Sequence, residues 1–377
     1  MDTQELDTKL YKQTKIDELE LQRLFFCNKE KKNAIYRYLL SSSDFFSIQN
    51  RRFLGNKYKL LSLIEYIIKE KCGVFDSFCD IFAGTGVVGA YFNNKNLKII
   101  SNDILNSNFV AISAFLNSKN IDIDNLIDKI NSLNQIKATE DNYFSVNYGG
   151  TYFTIENARK IGAIRERIEK ISENLEEKNV LLASLIYACD KAANTVGHYD
   201  AFRKVLDNVK PIKLLIPEIN FENNINNEIH KEDANSLIKK IACDILYIDP
   251  PYNSRQYCDA YHLLENLVNW EKPPVFGKAK KMDRTGLKSR YCLKTAAEEF
   301  DNLIANAKCK HILISYNNTG DSKNGRSNAR ITDKEILKTL KKKGATEVYE
   351  YKYRAFTTGK SEIDGNSERI FYCKVND

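Results

Sequence analysis

Histidine, proline and methionine are scarce in this chain. Its 377 residues include four histidines, six prolines and two methionines. The four histidines are scattered and none of the nine cysteines forms a CxxC pair, so no zinc cluster of ordinary spacing is expected. An odd number of isolated cysteines also argues against a disulfide framework and for a reducing compartment. No run approaches about 18 consecutive apolar residues, which excludes an evident transmembrane helix. The start, Met1-Asp2-Thr3-Gln4-Glu5, lacks the basic and apolar regions of a signal peptide. The few prolines, with abundant Lys and Asn, read as compositional bias. Hydrophobic residues at 43% and charged residues at 28% describe a globular chain long enough for one large or two ordinary domains. A net charge of +7, from 57 basic and 50 acidic residues, permits a nucleic-acid partner without requiring one.

Three strand-end motifs carry the chemistry. Val74–Phe82 reads as a strand running into Ala83-Gly84-Thr85-Gly86, and Val87, Val88, Ala90 and Tyr91 open a helix. Gly84 and Gly86 remove side chains that would block the approach of a cofactor to backbone. No Gly-Lys-Ser/Thr follows, which excludes a P-loop. Leu97–Asn102 is a second strand, ending at Asp103, about 20 residues beyond the glycine turn. An acid so placed can bond a ribose diol, though an isolated one more often caps a helix.

The third motif is Asp249-Pro250-Pro251-Tyr252, after the apolar run Asp244–Ile248. Such a run is a buried strand of an α/β sheet. Pro251 holds Pro250 extended, and neither proline can donate to a ladder, so the strand ends there. A carboxylate, two proline carbonyls and an aromatic ring at a strand's carboxyl end can hold a planar amine. An ordinary strand-end turn is the plainer alternative. Upstream, Arg51-Arg52-Phe53-Leu54-Gly55-Asn56-Lys57 precedes a helix marked by Leu60, Leu61, Leu63, Ile64, Ile67 and Ile68. Alone, it reads as a basic surface turn.

In this order the motifs resemble the D12-class, or α-group, DNA adenine-N6 methyltransferases. The resemblance is carried by Arg52–Lys57, Asp80–Gly86, Asp103, Asp233 within His230-Lys231-Glu232-Asp233-Ala234, and Asp249–Tyr252. It covers residues 51–103 and 228–377 well and 104–227 poorly. Asn56 departs from the second small residue that is common before the lysine. The resemblance implies a Rossmann-like class I S-adenosylmethionine-dependent sheet with a final antiparallel strand pair, and an inserted, mainly helical target-recognition domain. It implies Phe53, Lys57, Asp80, Phe82, Gly84, Gly86, Asp103 and Asp233 around S-adenosylmethionine. Asp249 and Pro250 then accept the two hydrogens of the adenine amine, and Tyr252 stacks on the flipped base.

The expected domains are an N-terminal arm or cap (1–50), a catalytic domain (51–127 and 227–377), a target-recognition domain (128–226) and a basic mobile loop (271–290). Candidate DNA contacts are Asn253, Arg255, Gln256, Tyr257, Lys278, Lys280, Arg284, Arg326 and Arg354. His198 reads as a loop residue that hydrogen-bonds, not as a metal ligand. Double-stranded DNA is the expected partner, with a cognate restriction endonuclease acting separately, in the cytoplasm of a bacterium. The competing readings are an RNA or protein amino-methyltransferase sharing the catalytic motif, and an inactive DNA-binding protein on the same fold. A nuclease lacks a second carboxylate at metal spacing.

Overall fold

The computed structural model describes residues 13–15, 44–317, 329–352 and 367–376. Most of the expected N-terminal arm or cap, and the candidate DNA contacts Arg326 and Arg354, lie outside the described residues. The ten strands among the described residues are β1 Gln13–Lys15, β2 Phe45–Phe46, β3 Ser77–Asp80, β4 Lys98–Asn102, β5 Ile216–Pro217, β6 Glu228–His230, β7 Ile245–Ile248, β8 His311–Asn317, β9 Gly344–Lys352 and β10 Ser367–Val375. Eight form one sheet in the order β1-β9-β10-β8-β7-β3-β4-β6, while β2 pairs with β5. Strands β6, β4, β3, β7 and β8 are parallel to their neighbours, and β10 runs antiparallel between β8 and β9. The expected final antiparallel pair is therefore β9 and β10.

Short apolar strands make this sheet because both its faces are covered. Side chains alternate between two cores. Phe78, Ile99, Ile245, Tyr247 and Leu313 belong to one, and Cys79, Ile100, Leu246, Ile248, Ile312 and Ile314 to the other. The second core is closed by the helices Ala296–Asn306 and Asp333–Lys341, through Phe300, Ile304, Ile336 and Leu340. Thr332 and Glu335 form a capping box at the start of the latter helix.

Helices Leu61–Lys71 and Asn106–Leu116 cover the first core, and a helical region lies beyond them. That region comprises Ile123–Asn134, Tyr143–Tyr148, Ile155–Ile171 and Leu175–Ala192, started by Asp122, Asn142, Thr154 and Asn174. Each cap side chain accepts an amide of the first turn, as short polar residues do at such positions. Phe144, Tyr148, Ile161, Ile164, Leu181 and Leu185 share one continuous apolar cluster with Ile99 and Ile112. The helical region thus packs on the helix Asn106–Leu116 and through it shares the core of the sheet. Its first two helices were not expected from sequence, nor was β1 on the sheet edge. Among the described residues no helix is long and apolar enough to cross a membrane, and the eight cysteines are unpaired.

The chain runs from β3 outward to β4 and β6, then returns to β7 on the other side of β3. The crevice above β3 and β7 is therefore the switch point, where open α/β sheets bind their ligands.

Candidate active site

Register brings three carboxylates to that switch point. Asp80 ends β3 and pairs with Ser101 on one side and Tyr247 on the other. Asp103 and Asp249 each lie two residues beyond those partners, on the same alternation. They face a cleft lined as well by Phe53, Lys57, Phe82, Gly84 and Asp233. Gly86 lies behind this lining. It precedes the helix Val87–Phe92 at φ +77°, and a Cβ there would come within 2.9 Å of Ile112.

The turn after β3 is shaped by its neighbours. Ala83 N–H donates to Asn102 O at 2.8 Å, and Gly84 N–H donates to Asp103 Oδ2 at 2.9 Å. Gly84 has φ +54°, and the Phe53 ring lies 3.1 Å from where its Cβ would stand. Phe53 itself stacks on Tyr261, with centroids 4.5 Å apart, and on Tyr257 at 5.4 Å. Leu54 N–H donates to Tyr261 Oη at 2.7 Å. The segment read as a basic surface turn thus forms an aromatic wall over the glycines. Arg51 anchors it from below. Its Nη1 donates to Asn108 Oδ1 at 2.8 Å, and its Nε lies 3.4 Å from Asp190, which in turn accepts from Tyr199 Oη at 2.8 Å.

Charge is concentrated in the cleft. Asp80 is 1% exposed, and its Oδ1 has no hydrogen-bond partner among the described residues. Burial, then Asp249 and Asp103, push its pKa well above the ordinary carboxylate range; the Phe82 amide and Lys57 oppose this. Asp103 accepts from both Gly84 and Leu105 amides, yet burial pushes its pKa up to about 6. Lys57 Nζ lies 3.0 Å from Asp249 Oδ1, donates to Gly55 O at 3.1 Å and sits 5.4 Å from the Tyr252 ring centre. A buried acid with an unused oxygen and clustered carboxylates beside the glycine turn suit a cationic ligand bearing a ribose. Asp233 caps the helix Ala234–Leu237 through Ser236 N–H at 3.0 Å, with Arg290 3.6 Å away.

Pro250 is buried at the exit of β7. Tyr252 is half-buried edge-on to Tyr316, and its carbonyl accepts the Arg330 amide at 2.8 Å. The residues expected to reach DNA divide. Arg255 and Lys278 are exposed, Lys280 is half-buried, and Asn253 braces its own turn by accepting Arg255 N–H at 2.9 Å. Gln256 and Tyr257 face the cleft instead. The Gln256 amide exchanges two hydrogen bonds with the Ser289 backbone, at 2.8 and 3.0 Å, and Tyr257 Oη donates to Leu54 O at 3.2 Å. Arg284 Nε donates to Asp259 at 2.6 Å. The stretch read as a mobile loop is tied along its length, by Tyr143 to Pro273, Tyr152 to Ala279 and Lys281 to Asp200. His198 Nδ1 accepts the Asp200 amide at 3.3 Å, and no metal-holding cluster occurs among the described residues.

Some site residues carried no expected role. Tyr291 lies edge-on to Phe82 with centroids 5.0 Å apart. Glu265 is buried and accepts Asn106 and Ser107 amides at 3.0 and 2.6 Å, fixing the helix that begins just after Asp103. A signal for both was present: Glu265 is the one acid of its helix, and Asp190 follows the apolar run Val180–Cys189, which implies a buried partner.

The sheet order, the glycine turn and the Asp-Pro-Pro-Tyr turn define the class as an α/β methyltransferase fold. The family model of D12 class N6 adenine-specific DNA methyltransferases matches residues 53–319. The chain belongs to that family. It is 34% identical over 350 residues to the type II methyltransferase M.FokI of Planomicrobium okeanokoites, covering 86% of this chain and 52% of that one. Modification methylase StsI of Streptococcus sanguinis is 36% identical over 345 residues, with the same two coverages, 86% and 52%. The type II methyltransferase M.NlaIII of Neisseria lactamica is 33% identical over 332 residues, 82% of this chain and 93% of that one. The chain thus spans about half the length of M.FokI and StsI and nearly all of M.NlaIII.

Proposed function

We propose that this chain methylates the exocyclic N6 amine of adenine at specific sites in double-stranded DNA. The observation that supports this best is Asp249, at the head of the Asp-Pro-Pro-Tyr turn and paired with Lys57, beside the glycine turn and Asp103. S-Adenosylmethionine, when bound, supplies an electrophilic methyl group on a positively charged sulfur. Phe53, Asp80, Phe82 and Gly84 surround its methionine portion, Asp103 its ribose and Asp233 its adenine.

The adenine amine is a poor nucleophile because its lone pair is delocalised into the ring. The Asp249 carboxylate and the Pro250 carbonyl accept its two hydrogens, which localises the pair and orients it. Positioning and fixed charge of this kind are what a direct transfer needs. Lys57 holds Asp249 in place and keeps it an acceptor. Tyr252 stacks on the target base after it has rotated out of the duplex. Residues 128–226, with Arg255, Lys278 and Lys280, contribute the DNA-facing surface, and a cognate restriction endonuclease acts separately in the bacterial cytoplasm.

The test is incubation with labelled S-adenosylmethionine and random-sequence duplex DNA, then mapping of the modified bases. N6-methyladenine at a defined sequence is expected; label on cytosine, or only on RNA or protein, would overturn the assignment. Asp249→Ala is expected to abolish transfer while retaining cofactor binding. Full activity in that variant would remove the proposed role of the turn.

A further inference from the structure

Phe276 is 66% exposed, the one aromatic ring among the described residues that stands out among the exposed large hydrophobic side chains. It sits on a closed turn. Phe276 N–H donates to Lys281 O at 2.8 Å and Lys281 N–H to Phe276 O at 3.0 Å. Between them Gly277 has φ +68° and Lys280 φ +52°. A lysine held in the left-handed region is strained, and such strain persists only where surroundings impose it.

Those surroundings are specific. Tyr152, fully buried in the helical region, shares its one hydroxyl hydrogen between Ala279 O at 3.0 Å and Tyr199 O at 2.8 Å. Lys281 pairs with Asp200, and the chain then runs through Arg284, bound to Asp259, to Leu287, Lys288 and Ser289 in the cleft lining. The turn is therefore fixed beside the cleft mouth. Exposed Lys278, Lys288 and Arg255 add positive charge on the same stretch and at the end of the catalytic turn. A braced apolar ring flanked by cations suits a nucleic-acid duplex: the cations draw in phosphates and the ring enters between base steps.

We propose that Phe276 is a wedge that inserts into duplex DNA next to the target adenine and stabilises its unstacked state. This rests on the proposed DNA methyltransferase activity. Phe276 acts as a positioning residue, since the reacting atoms lie at Asp249.

The test compares short duplexes carrying the mapped site with the target adenine either paired to thymine or opposite an abasic position. For Phe276→Ser, kcat/KM on the paired duplex is expected to fall at least about tenfold, the scale of one lost base–aromatic stack. The abasic duplex, already unpaired at the target and so easier to open, should restore most of that loss, and Phe276→Leu should lie between. 2-Aminopurine at the target position should brighten with the wild-type protein and much less with Phe276→Ser. Thermal stability and cofactor affinity should not change, because the ring is exposed and away from the cleft lining. Equal loss on both duplexes, or wild-type rates on the paired one, would overturn the wedge while leaving the methyltransferase assignment standing. A wild-type protein that methylates neither duplex would refute that assignment, and the wedge with it.

Discussion

The carboxyl of Asp103 makes stability depend on pH between about 4 and about 6. Its pKa rises from an ordinary 3.8 to about 6, chiefly through burial, against the opposing Leu105, Asn108 and Gly84 hydrogen bonds. A raised carboxyl pKa means that the folded protein holds this proton more tightly than the unfolded chain. The stabilisation is complete below the unfolded pKa and is lost as pH rises from about 4 through about 6. Roughly two pKa units at about 1.4 kcal/mol each give a loss of at most about 3 kcal/mol. Urea unfolding of the cofactor-free protein and of Asp103→Asn at pH 4, 5, 6 and 7 isolates this contribution. The asparagine side chain of the variant cannot ionise, so its lost amide acceptor appears as a constant offset. The wild type should lose stability relative to the variant across the window. A flat difference, or a wild type that gains, would show that the hydrogen bonds outweigh burial and refute the reasoning.

Two further substitutions probe how the cleft is held. Glu265→Ala leaves the buried Asn106 and Ser107 amides without their acceptor and should cost about 3 kcal/mol by urea unfolding, whereas Glu265→Gln keeps one acceptor and should cost about half as much; an Ala variant as stable as wild type would refute the cap. Gly84→Ala should lose about 1–2 kcal/mol from its left-handed backbone and weaken S-adenosylmethionine binding in equilibrium dialysis by crowding Phe53; adding Phe53→Leu should restore part of the affinity, and strictly additive losses would show that the ring contact is irrelevant.

How legible each part was depended on the range of the interactions that fix it. Strands β3, β4 and β7 are short apolar runs that lead into a glycine turn or an aspartate, so both their existence and their chemically useful ends could be read. Tyr143–Tyr148 is too short to show a helical period, and its aromatic residues are set by packing onto neighbouring elements. The divided fate of the polar residues after Tyr252 was not local either. Gln256 is taken up by Ser289, 33 residues away, and Tyr257 by Leu54, 203 residues away. A basic, proline-containing stretch such as 271–290 resembles a free loop until tyrosines from the helical region are seen to hold it.

The same range argument explains why the carboxylates meet where they do. Three adjacent parallel strands in fixed register must present their next side chains along one edge, so acids at these strand ends converge whatever the intervening sequence does. Convergence alone would be destabilising, because burial and like charge both oppose ionisation. The chain meets this with three local devices. Two amides bind Asp103, Lys57 pairs with Asp249, and Asp80 is left with a raised proton affinity and an unused oxygen. A cleft meant for a neutral or anionic ligand would gain nothing from that third arrangement. For a cationic ligand it is favourable, since the arriving charge stabilises the Asp80 carboxylate, whose ionised form burial and its neighbours oppose.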